Sequence, residues 1–352
     1  MTTLLVTSTA EGTGKTAITV ALASLAREAG NDVGYMKPKG TRLESTVGKT
    51  RDEDPMLARE VLGLDAGMHE LEPVVYSPTL VREAIRGREG GAELADRLTD
   101  AFDALAASRD HMFLEGGSRH TTGGIVDLTD ADVAELLDAE VLLVSRYDEP
   151  RDIDDVLAAT EDLGDRLTGV LFNDVASPEF DELTEEAMPF LDGRGIRSIG
   201  AIPHDEQLAG VTVDELVDSL GAERLTDAVP TDGRIERFSV GAMGAGSALK
   251  QFRRARNSAV ITGGDRSDIQ TTALEAPGVA CLILTGGYRP SQAVIGKAAK
   301  RDVPVLLVQS DTRATIDRVE ETLRSGRAQR VETVERMADL LRKSVDVDEL
   351  LG

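Results

Sequence analysis

The chain contains no tryptophan, seven phenylalanines and four tyrosines, so aromatic residues make up only 3% of it. Any core it forms must be aliphatic. A single cysteine, Cys281, leaves no disulfide to close within the chain and no cysteine cluster for a metal. No apolar run reaches the ~20 residues of a membrane helix, and the first residues enter a strand rather than a cleavable signal. A cytoplasmic protein with no membrane partner is therefore expected. Lysine is scarce: it supplies eight of the 39 basic residues, arginine the other 31. Against 63 acidic residues this leaves a net charge of −24, a field that repels a nucleic-acid backbone. An acidic, lysine-poor surface fits a halophilic protein, whose self-repulsion is screened within about 3 Å at 1 M salt. An ordinary acidic cytosolic protein is the plainer alternative.

What is present is a normal hydrophobic complement, 41%, recurring periodically, which excludes disorder. The most informative stretch is Leu4–Ala17, LLVTSTAEGTGKTA. An apolar run leads into a loop of small residues ending Gly12-Thr13-Gly14-Lys15-Thr16, and a helical pattern follows with Ile18, Ala21, Leu22 and Leu25 on one face. Backbone N–H groups of such a loop, with the positive end of the next helix, wrap phosphates. Lys15 would reach the β/γ-phosphates and the Thr16 hydroxyl would hold Mg²⁺. Thr9 stands where the general GxxxxGK[ST] pattern has glycine. A strand-to-helix turn with a solvated lysine is the bland alternative.

At 352 residues the chain is too long for one typical core. Short apolar runs near Leu4–Val6, Val33–Met36, Met112–Leu114, Val141–Val144, Val170–Phe172 and Ser198–Ile202 predict strands. Helical patterns lie between them, at Lys15–Ala29, Ala92–Ala107, Ile153–Leu163 and Glu179–Leu191. That alternation predicts an α/β fold with a mainly parallel sheet covered on both faces. The pattern lapses at Gly221–Arg234, GAERLTDAVPTDGR, which reads as a linker. A second α/β series follows, with strands near Phe238–Val240, Ala259–Thr262, Cys281–Leu284 and Val305–Val308. Its helices are expected at Ile269–Glu275, Ser291–Lys300, Ile316–Leu323 and Val334–Ser344. The expected division is therefore 1–220, a linker at 221–234, and a second domain at 235–352.

Ligands of open parallel sheets bind at the carboxyl ends of the strands, and further polar residues fall there. Lys37 and Lys39 follow the second strand. Asp52-Glu53-Asp54-Pro55 opens a helix. Glu115-Gly116-Gly117 follows the third strand, and Asn173 ends another. Each has a bland reading: solvated lysines, an N-cap at Asp52 or Asp54, a turn at Asn173.

With these residues in view, the first 210 or so residues resemble the dethiobiotin-synthetase-like branch of P-loop proteins. Ser8–Thr16 is similar to that branch's phosphate loop, with Ser8 and Ala10 standing where the synthetases have Gly and Asp. Lys37-Pro38, Asp54, Glu115-Gly116-Gly117, Gly169–Asn173 and Gly200–His204 are similar to its later motifs. The resemblance implies a parallel-sheet P-loop NTPase domain using ATP and Mg²⁺. Gly12, Thr13, Gly14, Lys15, Thr16 and Ala17 would hold phosphate, Asn173 would contact adenine, and Pro203 would close the nucleotide pocket. Thr16, Asp54 and Glu115 would surround the metal, and Lys15 and Lys37 would be catalytic, Lys37 facing an acyl-phosphate or carboxylate.

The second α/β series resembles the DRTGG domain, through Gly264–Asp268 and Leu284–Pro290, with Ser310-Asp311-Thr312 after a third strand. Bottom-up, these are tight turns at strand ends and candidate anion nests. The plainer reading is an Asp265–Arg266 ion pair and an Asp311 N-cap. A P-loop domain followed by a DRTGG domain resembles the N-terminal part of long phosphate acetyltransferases, whose acetyl-transferring domain has no room before Gly352. The resemblance implies an ATP-binding regulatory protein of acetyl-phosphate/acetyl-CoA metabolism. Its expected partners are ATP, a second copy in a homodimer, and a metabolic enzyme subunit. The alternative is an ATP- and Mg²⁺-dependent ligase of the dethiobiotin synthetase or cobyrinic acid amidation type.

Overall fold

A computed structural model describes residues 1–41, 43–46, 49–88, 90–208, 210–326 and 331–351. It divides into two compact units. The first comprises Met1–Asp205 and Ala328–Gly352, the second Glu206–Arg327.

The first unit is built on β1 (Thr2–Ser8), α1 (Lys15–Glu28), β2 (Val33–Met36), α2 (Asp54–Leu62), α3 (Gly91–Ala106), β3 (His111–Glu115), α4 (Asp130–Leu136), β4 (Glu140–Ser145), α5 (Asp152–Leu163), β5 (Leu167–Val175) and β6 (Ser198–Pro203). Its sheet runs β6-β5-β4-β1-β3-β2, every pair parallel. The apolar runs form strands because helices cover both faces, so inward and outward residues alike are buried. Leu5, Met36, Leu114 and Leu143 pack with Leu98 and Phe102 of α3 and Val156 of α5. In register, Val6 lies opposite Glu115, which brings the phosphate-loop strand and the acidic strand end together. A polar hairpin, Leu43–Thr46 with Lys49–Asp52, precedes α2. The helix expected at 179–191 spans 177–192 with a wide π turn at Leu183–Ala187. Pro189 lacks the N–H that a regular turn would use, and the helix widens just before it.

The second unit contains α6 (Val213–Leu220), β7 (Arg237–Val240), α7 (Ala245–Phe252), β8 (Ser258–Gly263), α8 (Ser267–Ala273), β9 (Val279–Thr285), α9 (Gln292–Ala299), β10 (Val305–Leu307) and α10 (Thr312–Gly326). The strands β10-β9-β8-β7 are parallel, and Glu223–Arg224 adds an antiparallel edge beside β10. Phe252, Ile269, Ala273 and Val294 cover one face. Leu216, Leu220, Val319 and Leu323 cover the other.

The division expected at 220–235 is corrected in two places. The stretch read as a linker is part of the second unit. Val211–Thr212 pairs with Arg234–Ile235, Leu225 N–H donates to Val305 O at 2.8 Å, and Val305 N–H donates to Thr226 Oγ1 at 3.0 Å. Its polarity is that of a sheet edge, whose backbone is satisfied by neighbours. The second correction concerns α11 (Val331–Ser344), which belongs to the first unit and packs on α1. Gly200 of β6 lies so close to its end that a Cβ there would strike Ser344 O. Arg336 Nε donates to Asp205 Oδ2 at 3.0 Å.

Candidate functional site

The loop after β1 turns on two glycines in left-handed conformation, Gly12 (φ 70°) and Gly14 (φ 89°). A Cβ on Gly14 would also collide with the Asn173 amide. Helix α1 begins at Lys15 with no side-chain cap and no acidic residue in its first turn. The positive dipole end of the helix therefore faces the loop, the arrangement that seats an anion. The Thr13 hydroxyl is buried without a hydrogen-bond partner. Arg146 donates to Gly12 O at 2.8 Å and Arg119 Nε to Thr9 O at 3.1 Å, fixing the loop from both sides. Lys15 is folded back: Nζ donates to Ser8 Oγ at 2.7 Å and to Ser118 O at 3.2 Å. Burial lowers its pKa, with Glu115 and Asp130 pulling the other way.

Beside Lys15 the acidic residues converge. Thr16 Oγ1 donates to Glu115 Oε1 at 2.8 Å and the Tyr35 hydroxyl to Glu115 Oε2 at 2.7 Å. Lys37 Nζ lies 3.0 Å from Asp52 Oδ2, 3.3 Å from Glu115 Oε1, and in direct contact with Asp54 Oδ2. The solvated reading of Lys37 and Lys39 does not hold, since both are buried. Burial works to neutralise Lys37, but Asp54, Glu115 and Asp52 together hold its pKa above the ordinary lysine value. Burial pushes Glu115 up to about 7, against the pull of Lys37. Burial and the neighbouring Glu115 raise the Tyr35 phenol well above its ordinary value. Asp52 does accept from the Asp54 N–H, at 3.1 Å, while its other oxygen binds Lys37, so it serves both as turn and as ion partner.

Lys39 forms a second buried pair. Nζ lies 2.8 Å from Asp130 Oδ1, donates to Thr122 O at 2.9 Å, and contacts Leu128 O. Asp130 also accepts from the Thr7 hydroxyl and, at 3.1 Å, from the Gly117 N–H. The segment after Glu115 is thereby tied to the end of β1.

Of the residues expected at the site, the structure gathers Gly12, Thr13, Gly14, Lys15, Thr16, Ala17, Lys37, Asp54 and Glu115 at one sheet edge. Asn173 is tied to the loop, its Nδ2 donating to Thr13 O at 2.8 Å. Pro203 is the exposed end of β6 and no member of this hydrogen-bonded cluster. Sequence reasoning missed Tyr35, Asp130 and the Ser118 carbonyl. Tyr35 had a signal: it lies two residues before Lys37 at the end of β2, hence on the same face. Asp130 had none, lying 91 residues from Lys39.

In the second unit the glycine motifs bind neighbouring strand ends together. Gly264 N–H donates to Thr285 O, Gly286 N–H to Ser310 O and Gly287 N–H to Val308 O, at 2.9–3.0 Å. These N–H groups are consumed within the fold and form no open anion nest. Arg266 pairs with Asp268 at 3.2 Å rather than with Asp265. Asp311 is an N-cap, accepting from Ala314 N–H at 2.9 Å.

Comparison with known proteins finds two families in succession along the chain. Residues 2–212 match the AAA-domain family, and residues 215–322 match the DRTGG domain. Phosphate acetyltransferase of Pseudomonas putida is 23% identical over 98% of this chain and 51% of its own. The ATP-dependent dethiobiotin synthetase of Mycolicibacterium gilvum is 37% identical over 41% of this chain and 61% of its own. The chain thus spans about half the length of the phosphate acetyltransferases it matches. A crystal structure of the CBS and DRTGG domains of Clostridium perfringens pyrophosphatase, with diadenosine tetraphosphate, covers 39% of this chain and 69% of that one. Its identity is 23% and its TM-score 0.27, too low to carry weight. From the glycine loop, the parallel sheet and the match over residues 2–212, the chain belongs to the AAA-domain family, in its dethiobiotin-synthetase-like P-loop form, and carries a DRTGG domain.

Proposed function

We propose that the first unit binds Mg-ATP and that the chain acts as a nucleotide-responsive regulatory protein of acetyl-phosphate or acetyl-CoA metabolism. The observation carrying this reading is the uncapped start of α1 beneath the left-handed glycine loop, with Lys15 and the Thr16–Glu115 pair beside it. The residues fit the ligand. The orphaned Thr13 hydroxyl and the uncapped start of α1 suit phosphate oxygens. The Thr16 hydroxyl and the Asp54 and Glu115 carboxylates form a hard oxygen set suited to Mg²⁺. Among the described residues no group of three His, Cys, Asp or Glu side chains stands ready as a metal site.

When bound, Mg-ATP supplies a transferable phosphoryl group whose charge the metal neutralises. Lys15 would leave Ser8 and Ser118 to hold the phosphates, Thr16 and the two carboxylates would orient the metal, and Asn173 would keep the loop beside the base. The DRTGG unit would join two copies and carry the response. The family resemblance and the similarity to about half the length of phosphate acetyltransferases support that part.

A ligase remains the second reading, favoured by one observation. An open groove of about 530 Å³ is lined by Thr41, Tyr76, Pro78, Val81 and Arg82. Its Thr41 accepts from the Ser118 hydroxyl at 3.1 Å, and Ser118 O holds Lys15.

Calorimetry of ATP with Mg²⁺ in molar KCl tests the nucleotide site. Lys15→Ala should weaken binding roughly ten- to hundredfold, the loss of a charge-assisted contact worth about 1.5–3 kcal/mol. Equal affinity would refute it. A carboxylate bound in the groove beside Mg-ATP would decide for the ligase. Light scattering that finds a monomer from low to molar KCl would refute the dimer.

A further inference from the structure

Lys37 holds the position a metal ion would need. Glu115 Oε1 accepts from the Thr16 hydroxyl at 2.8 Å and lies 3.3 Å from the Lys37 ammonium. One carboxylate oxygen thus joins the hydroxyl expected on the metal to the chain's own cation. Asp54, the other expected metal ligand, is in direct contact with the same ammonium. Asp52 completes the set at 3.0 Å, and it is fixed in place because Thr41 N–H and Asp54 N–H both donate to it, at 3.0 and 3.1 Å. The Lys37 side chain is 2% exposed, so no solvent separates it from the acids. A Mg²⁺ ion binds oxygen at about 2.0–2.1 Å. An ammonium already packed against Asp54 and Glu115 leaves no room for it there, and the two cations would repel each other strongly.

We propose that Lys37 is an internal counter-ion that bars divalent metal from the Asp54–Glu115 position until nucleotide is present. Its ammonium must leave the three carboxylates before a metal enters, and nucleotide phosphates give it a new partner at the same sheet edge. Metal and nucleotide then bind with strong positive coupling, each raising the affinity for the other by the same factor. The inference rests on the Mg-ATP reading of this edge, but it is tested without nucleotide, so the two fail separately.

The probe is Mn²⁺ alone, followed by its electron paramagnetic resonance signal on the full chain. Wild type should bind it only weakly. Lys37→Met should bind one Mn²⁺ at least tenfold more tightly, because the ammonium that occupies the position is gone. Lys37→Arg should stay weak, and Lys37→Met with Glu115→Gln should lose the gain, which separates this position from the many surface acids. If Lys37→Met does not fold alone, Mn²⁺ should restore its far-ultraviolet circular dichroism, as a ligand selective for the native state must. Equal affinity in wild type and Lys37→Met, a gain in Lys37→Arg, or an unfolded Lys37→Met that Mn²⁺ does not rescue would each overturn the proposal.

Discussion

Replacing Lys39 with methionine should be among the most damaging single changes in the first unit. The side chain is fully buried, and its ammonium serves three acceptors: Asp130 Oδ1 at 2.8 Å, Thr122 O at 2.9 Å and Leu128 O. Methionine keeps most of the apolar stem but no donor. Asp130 retains the Thr7 hydroxyl and the Gly117 N–H, which compensate in part. Breaking a buried pair by removing one partner costs about 3–5 kcal/mol, and each carbonyl left without a donor adds to it. An expected loss of at least ~3 kcal/mol is a large share of the ~5–15 kcal/mol that holds an ordinary domain together.

Urea unfolding followed by tyrosine emission reads this unit selectively. Tyr35, Tyr76 and Tyr147 belong to it, Tyr288 belongs to the other, and there is no tryptophan to mask them. A double-mutant cycle with Asp130→Asn isolates the pair. The two changes should be strongly non-additive, with a coupling on the order of 0.5–3 kcal/mol. The exposed Arg86–Glu83 pair is the control, expected to contribute about 0.5 kcal/mol or less. A loss below ~1 kcal/mol for Lys39→Met, or simple additivity with Asp130→Asn, would show that water or relaxation replaces the lysine and that the buried-pair reasoning is wrong.

Three further outcomes are expected. Gly14→Ala should destabilise the first unit by about 1–3 kcal/mol and abolish phosphate binding, because φ is 89° and the new Cβ meets Asn173; unchanged melting and affinity would count against the loop geometry. Cys281 is fully buried in β9 and burial pushes its thiol up to about 12, so a thiol reagent at pH 8 should react only after unfolding, and rapid labelling of native protein would contradict the burial. Deleting residues 331–352 should unfold the first unit, since Val334, Met337, Leu340 and Leu341 are buried there at about 1.5–3 kcal/mol each; a cooperative, full-strength transition in the truncated chain would place that helix elsewhere.

The strands were legible because a parallel sheet buries both faces, so its members stand out as apolar runs; Val33–Met36 has the same span in sequence and structure. The hairpin at 43–52 was not legible, its sequence having no apolar alternation. Helix α11 was read as a helix from its amphipathic pattern, but that pattern says only that one face is buried, not against which sheet. The candidate site divides in the same way. Lys15, Lys37, Asp54 and Glu115 could be placed at one edge because each follows a strand end or opens a helix. Which ion meets which was hidden, because Lys37 gathers acids from two separate segments and Lys39 takes its partner from a helix 91 residues away.

The first unit is interrupted by the second and completed by α11. A ribosome therefore delivers the phosphate loop early, yet the helix that packs on α1 only after the whole inserted unit has been made. Until then α1 has β1, β2, β3 and α2 beside it but not α11, and the first unit is unfinished. The DRTGG unit, continuous in sequence, can fold while its host waits. Pulse-labelling of stalled nascent chains should find the second unit protected from protease before the first. A slow or misfolded insert would thus delay completion of the first unit, although it contributes no residue to the glycine loop itself.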